Sequence, residues 1–191
     1  FMLRLQSGYT DGLVGFGLDA AGMLGLKLDS SPDRSGTGLL PRGSDKRAAD
    51  DYAKAVVTFK AKLAQSELKV GGLSPQLPLL ASNNSRLFPQ WFNGAQLVSK
   101  DLDRFTFTLL QVDATKLRDS TDYEDLTAMA QQGAYPATVT SDRLYYGGVD
   151  YQPLNNLTLS LHTSTLEDLF RRDFAGFKFK TRLGPGDVFT E

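Results

Sequence analysis

The stretch Val14-Gly15-Phe16-Gly17-Leu18-Asp19-Ala20-Ala21-Gly22-Met23-Leu24-Gly25-Leu26-Lys27-Leu28-Asp29 decides the fold. Its even positions carry Val14, Phe16, Leu18, Ala20, Leu24, Leu26 and Leu28, while its odd positions carry Gly15, Gly17, Asp19, Lys27 and Asp29 among small residues and Met23. Strict alternation marks an extended strand with one apolar face, because successive side chains point to opposite sides. A strand over 14–29 is much longer than the ~5–6 residues usual in soluble sheets and exceeds the ~9–11 that cross a bilayer at a tilt.

The same period recurs outward from this stretch. It predicts further strands at 1–9, 52–64, 67–73, 94–100, 104–114, 142–152, 157–166 and 174–183, about nine in all. Ala53, Ala55, Val57, Phe59, Ala61 and Leu63 oppose Lys54, Thr58, Lys60 and Lys62. Phe105, Phe107 and Leu109 oppose Thr106 and Thr108; Leu157, Leu159 and Leu161 oppose Thr158, Ser160, His162 and Ser164; Phe177, Phe179 and Leu183 oppose Lys178, Lys180 and Arg182. One face of each strand suits lipid and the other water.

Short and long connections alternate between these strands. Thr10-Asp11-Gly12, Gln65-Ser66, Asp101-Leu102-Asp103 and Pro153-Leu154-Asn155-Asn156 are short, 30–51, 74–93 and 115–141 are long, and 167–173 is intermediate. Asp-Gly and Asn-Asn suit tight hairpins because they tolerate positive φ. In a closed up-and-down antiparallel barrel this alternation puts the tight turns at one rim and the long loops at the other, as in outer-membrane barrels. On pattern alone a soluble all-β ligand-binding barrel is the alternative.

Composition narrows the function classes. The 21 Lys and Arg against 22 Asp and Glu leave a formal charge of −1, which argues against a nucleic-acid binder. There is no Cys and one His, so disulfide frameworks, thiol catalysis and the usual structural zinc sites are excluded, and no cofactor is expected. No window approaches the ~18 uninterrupted apolar residues of a membrane helix, but that test does not reach strands. No linker, charge run or repeat divides the chain, so 1–191 is read as part of one barrel domain. Phe1-Met2-Leu3 opens inside an alternating pattern and Gly184-Pro185-Gly186 offers no obvious closing strand, which suggests a processed or truncated piece.

Particular residues then bring in a family. Ser7-Gly8-Tyr9-Thr10, Val14 to Ala20, Gly25-Leu26-Lys27-Leu28-Asp29 and Gly36-Thr37-Gly38 resemble the first part of the OprD family of outer-membrane channels. So do Ser85-Arg86-Leu87-Phe88-Pro89-Gln90, Gly94-Ala95-Gln96, Lys116-Leu117-Arg118, Asp122-Tyr123-Glu124-Asp125, Tyr146 to Tyr151 and Leu166 to Arg171. The resemblance implies an eighteen-stranded monomeric barrel in the outer membrane of Gram-negative bacteria. Its implied partners are the lipid bilayer, lipopolysaccharide and small carboxylate-bearing solutes. The Asp-Tyr-Glu-Asp loop is more similar to the OccK-like branch, which prefers aromatic or other monocarboxylates. Family members are about twice this length, so the chain is expected to correspond to their N-terminal half without the very first strand. Loop 74–93 is similar to the family's third external loop, which folds into the lumen and narrows it.

Within such a lumen a carboxylate must exchange hydration for fixed donors, and the planar fork of Arg suits both of its oxygens. Arg86 is the leading candidate, with Ser85 and Gln90 as neutral donors; a structural pin and simple turn formers are the competing readings. Lys54, Lys60 and Lys62 on one strand, with Lys178, Lys180 and Arg182 on another, would form a track of stepping sites for anions. Equally, these cations would be merely solvated or balanced by Asp19, Glu67 and Asp150. The acidic run Asp119, Asp122, Glu124 and Asp125 reads as a solvated loop rather than a metal site. Tyr145, Tyr151, Phe59 and Phe189 read as interfacial aromatics or packing residues. Trp91 and Phe92 are expected to anchor the loop. His162 with Ser160, Ser164 and Asp150 lacks a nucleophile elbow and an oxyanion hole, so no enzyme activity is expected. The expected function is passive uptake of small carboxylates; the alternative is a plugged structural or adhesive barrel whose loops bind partners.

Overall fold

The computed structural model describes residues 1–28, 36–129, 138–183 and 186–190. Among these residues there are fourteen strands and no helix. In chain order they are β1 (Met2–Gln6), β2 (Val14–Leu26), β3 (Asp51–Leu63), β4 (Ser66–Leu73), β5 (Gln76–Leu77), β6 (Leu80–Ala81) and β7 (Trp91–Ser99). The rest are β8 (Phe105–Lys116), β9 (Leu126–Met129), β10 (Thr138–Ser141), β11 (Leu144–Leu154), β12 (Leu157–Leu166), β13 (Phe170–Leu183) and β14 (Gly186–Thr190). Ten of them form one antiparallel sheet in the order β1-β2-β3-β4-β7-β8-β11-β12-β13-β14. The pairs β5–β6 and β9–β10 are small hairpins inside the long loops.

The sheet inverts the usual rule of burial. On β3, Phe59 is 66% exposed while its neighbour Lys60 is 8% exposed. Phe16, Leu18, Leu24, Val57, Leu109, Leu161 and Phe177 likewise stand exposed on the outer face. An apolar surface of this extent would drive aggregation in water and is suited to the hydrocarbon of a bilayer. The aromatic residues fall near the two ends of this face. Phe105 stacks on Tyr151 with ring centroids 4.4 Å apart near the tight turns, and Tyr145 lies six residues back along β11, about 20 Å at the rise of an extended strand.

The opposite face holds the core, because the long loops fold back on it. One apolar cluster joins Leu73, Phe92, Leu110, Val112, Leu126, Leu144, Tyr146 and Leu166, with Leu77, Leu79 and Leu80 of loop 74–90 packed against it. A second joins Ala21, Met23, Tyr52, Val56 and Phe88. At the start of that loop Gly71 adopts φ +113, and a Cβ there would lie 2.5 Å from the carbonyl oxygen of Val57, so the turn of β4 toward the loop requires glycine.

The structure corrects several sequence-derived boundaries. The first long strand ends at Leu26, not Asp29, and the main sheet holds ten strands rather than nine, because 186–190 pairs with β13. The long connection expected at 74–93 spans 74–90, since Trp91 and Phe92 pair with Lys116 and Thr115 as the first residues of β7. The intermediate connection 167–173 shrinks to 167–169, with Asp168 at φ 61. Left-handed backbone occurs at Gly12, Ala64 and Arg104 in the tight turns, but not at Asn155 or Asn156.

Candidate functional site

The second apolar cluster holds loop 74–90 against β2 and β3. Phe88, 2% exposed, packs on Tyr52 with ring centroids 5.5 Å apart. Beside them the buried Lys54 Nζ donates to the carbonyl oxygens of Pro89 (3.2 Å), Leu117 (3.0 Å) and Arg118 (2.9 Å). Lys54 thus shares the inner face with Lys60 and Lys62, as the period predicts, but its ammonium is enclosed by backbone carbonyls. Lys116 does similar work from β8, donating to the Ala55 carbonyl at 3.2 Å while its ammonium lies 4.4 Å from the centroid of Tyr123.

The three residues singled out in the loop have distinct surroundings. Gln90 bridges the loop base to the wall: its Nε2 donates to Thr115 Oγ1 at 2.9 Å, and its Oε1 accepts from Asn83 N at 3.2 Å. Ser85 Oγ donates to Asn83 Oδ1 at 2.7 Å and accepts from Arg118 Nη1 at 3.1 Å. Arg86 is exposed, lies beside Gly38 as Asp119 does, and makes no hydrogen bond or ion pair among the described residues. Arg118 escaped the sequence reading except as part of a motif. Its contact with Ser85 joins residues far apart in the chain and leaves no periodic signal.

The predicted cation tracks divide. Lys60 Nζ is 2.6 Å from Asp19 Oδ1 and donates to the Ser7 carbonyl at 2.9 Å. Lys62 is exposed, its ammonium 5.9 Å from the centroid of Tyr9. The Tyr9 hydroxyl donates to Glu67, whose other carboxylate oxygen is 2.9 Å from Lys69 Nζ. Burial, then the Glu67 carboxylate, push the Tyr9 phenol up to about 12. Lys178 and Lys180 stand exposed on β13, whereas the side chain of Arg182 lies outside the described residues, as does that of Phe189.

On β11 and β12 the diagonal contact that sequence spacing missed is made through Asp150. Its Oδ1 lies 3.2 Å from His162 Nε2 and accepts from Ser160 Oγ, while Tyr146 Oη is 2.7 Å from His162 Nδ1. Gly148 makes room for the imidazole, since a Cβ there would lie 2.0 Å from Nδ1. Both serine and histidine converge on the carboxylate and not on each other, which is not the order of a nucleophile and its base. The acidic run 119–125 hydrogen-bonds within itself through Ser120, Thr121 and Asp122. Among the described residues no three His, Asp or Glu side chains converge as metal ligands.

Comparison with known proteins follows this geometry. The sequence model of the outer membrane porin, OprD family, matches residues 1–191. Porin D of Pseudomonas aeruginosa is 36% identical over 183 residues, which cover 96% of this chain and 40% of that protein. The crystal structure of P. aeruginosa OccK9 (OpdG) superposes with a TM-score of 0.87 at 41% identity, over 96% of this chain and 46% of that one. P. aeruginosa OpdK, solved with vanillate, superposes with a TM-score of 0.88 at 36% identity, over 98% of this chain and 48% of that one. The chain therefore spans less than half the length of the relatives it matches.

Proposed function

Because the chain belongs to the OprD family of outer-membrane porins, we propose that it forms wall and constriction of a channel for passive diffusion of small carboxylate-bearing solutes. The observation that carries this reading is the state of Arg86. The loop that bears it is held to the wall by Phe88, Gln90 and the carbonyl cage of Lys54, yet the Arg86 guanidinium has no partner among the described residues. A fixed backbone carrying an uncommitted planar donor is the arrangement that can replace the hydration of a carboxylate and then release it. Ser85 lies next to it in the loop, and Gln90 holds the base of the loop. Lys62, Lys178 and Lys180 serve as exposed stepping sites along the wall, with Arg182 following them on β13; Lys54 and Lys60 act on the same face by keeping its shape and potential. The relative solved with vanillate, an aromatic carboxylate, supports the same solute class.

Replacing Arg86 by Glu in the barrel that carries this chain tests the proposal. Uptake of a monocarboxylate such as benzoate should fall several-fold, while the outer-membrane level of the protein stays unchanged. Unchanged uptake would remove Arg86 from the mechanism. A wild-type barrel with no ohmic step in a planar bilayer would identify a plugged, structural barrel instead.

A further inference from the structure

From the order of hydrogen bonds around the buried His162 we infer a proton-responsive element in the channel wall: uptake of one proton by its imidazole cancels the charge of Asp150 and makes the passage more anion-preferring in acid. The inference rests on the channel reading above and adds a pH dependence to it.

His162 is the one histidine of the chain and is buried on the inner face. It stands on β12 opposite Gly148 of β11 and Phe174 of β13. Gly148 leaves the space that the imidazole fills, and the rings of Tyr146 and Phe174 lie 5.7 Å and 5.9 Å from it, centroid to centroid. Both ring nitrogens are engaged: Tyr146 Oη lies 2.7 Å from Nδ1, and Asp150 Oδ1 lies 3.2 Å from Nε2. An ionised carboxylate only accepts, so Asp150 assigns the proton of the neutral ring to Nε2, and Nδ1 then accepts from the Tyr146 hydroxyl. A second proton can enter only at Nδ1. The imidazolium would donate on both sides, and the Tyr146 hydroxyl would turn from donor to acceptor.

Tyr146 and Asp150 are the titratable groups that β11 presents to the ring. On β12 its same-face neighbours are Ser160, which also donates to Asp150, and Ser164. β13 presents Phe174, with Arg172 opposite Ser164 and Lys178 opposite Thr158, and β8 offers Thr108 and Thr106 beyond Gly148 and Asp150. Of all side chains, imidazole is the one whose ordinary charge change falls between about pH 5 and 8. The Asp150 side chain is 34% exposed and borders a cavity of about 400 Å³ with Thr106, Gln152 and Thr158, which the turn residues Lys100, Asp101, Asp103 and Arg104 also line. Its carboxylate is therefore the part of the network that a passing ion meets. With the imidazole neutral the pair carries one negative charge, and with the imidazole protonated it carries none. Fixed charge on a pore wall sets which ion is enriched beside it.

Reversal potentials in a gradient of dilute KCl, measured at about pH 7.5 and about pH 5 on the barrel that carries the chain, test this. The chloride-to-potassium permeability ratio of the wild type should rise about twofold in acid, the Coulomb weight of one unit charge at ~10 Å in water. His162→Gln keeps a donor toward Asp150 without a titrating ring, and its ratio should stay level. Asp150→Asn should already show at neutral pH the ratio that the wild type reaches in acid. If His162→Gln does not assemble, Asp150→Asn carries the test together with NMR of labelled histidine in micelles. One histidine resonance should titrate between about pH 5 and 8 in the wild type and move to lower pH in Asp150→Asn, where the imidazolium loses its counter-charge. A wild-type ratio equal at both pH values, a His162→Gln barrel that follows the wild type, or an Asp150→Asn barrel that matches the wild type at neutral pH would overturn the inference while leaving the channel reading in place. A wild type without ohmic conductance would overturn the channel reading, and the histidine titration would still decide the proton site.

Discussion

The Lys54 ammonium stands 3.2 Å from the Pro89 carbonyl and 2.9 Å from that of Arg118, so one buried cation on β3 ties two separate loops to the wall. Replacing it by Met keeps the apolar stem and removes the donors. Hydrogen bonds of charged groups contribute about 1.5–3 kcal/mol, so Lys54→Met should destabilise the barrel by about that amount. Thermal migration shifts in detergent would register it. Current noise in an open channel should rise at the same time, because both loops lose a common tether.

Phe88 is the apolar counterpart of that tether. Truncation of a buried Phe to Ala costs about 3–5 kcal/mol, and here the cost falls on one loop packed against β2 and β3. Phe88→Ala should therefore widen the passage more than it unfolds the barrel. Larger unitary conductance with weakened preference among acids is the expected recording.

At the opposite rim, Asp101 accepts hydrogen bonds from Ser66 Oγ at 2.6 Å and Gln65 N at 2.8 Å, clipping two adjacent turns together. The Ser66 hydroxyl first, then the Gln65 amide, hold its carboxyl below the ordinary 3.8. A depressed folded pKa stabilises the charged form, so the contribution is present above 3.8 and disappears as pH falls through the lower folded value. Melting of the wild type and Asp101→Asn should differ at neutral pH and converge below pH 3.8. Curves that stay apart in acid would refute the clip.

Phe59 and Lys60 test which side meets lipid. Lys on the lipid face of an outer-membrane barrel costs about 2–4 kcal/mol near mid-depth. Phe59→Lys should lower the stability of barrels refolded into phospholipid vesicles by that amount. Lys60→Phe acts differently: it leaves Asp19 without its cation on the inner side. An unaltered Phe59→Lys barrel would mean that this face does not touch hydrocarbon.

Much of the wall was legible in sequence because its period is two and nothing interrupts it. Phe59 and Lys60 receive opposite faces from parity alone. The rim alternation was legible too, although Ala64 and Arg104 carry positive φ that no turn propensity announces. What stayed hidden are contacts across long loops. Trp91 sits after a Pro and looks like loop, yet it pairs with Lys116. Ser85 and Gln90 look like free donors, but Asn83 of their own loop engages both, and Arg118 and Thr115 reach them from other parts of the fold. Asp150 lies directly opposite Ser160 but reaches His162 diagonally across the β11–β12 ladder, a relation that spacing along one strand does not encode.

The strand order also sets a timetable. Every neighbour in the large sheet follows the last in sequence, or skips only a small hairpin within a loop, so each pairing closes fewer than about thirty residues at a modest entropic cost. Lys54 departs from this locality: it meets Pro89 after 35 residues but Leu117 and Arg118 only after 63 and 64. A chain that adds strands in order would half-enclose the ammonium once β7 has joined and complete the enclosure only after β8. The Lys54 tether on loop 74–90 is thus completed partway through assembly of this wall, before β11 to β14 join, so the later strands are added beside a loop that is already pinned.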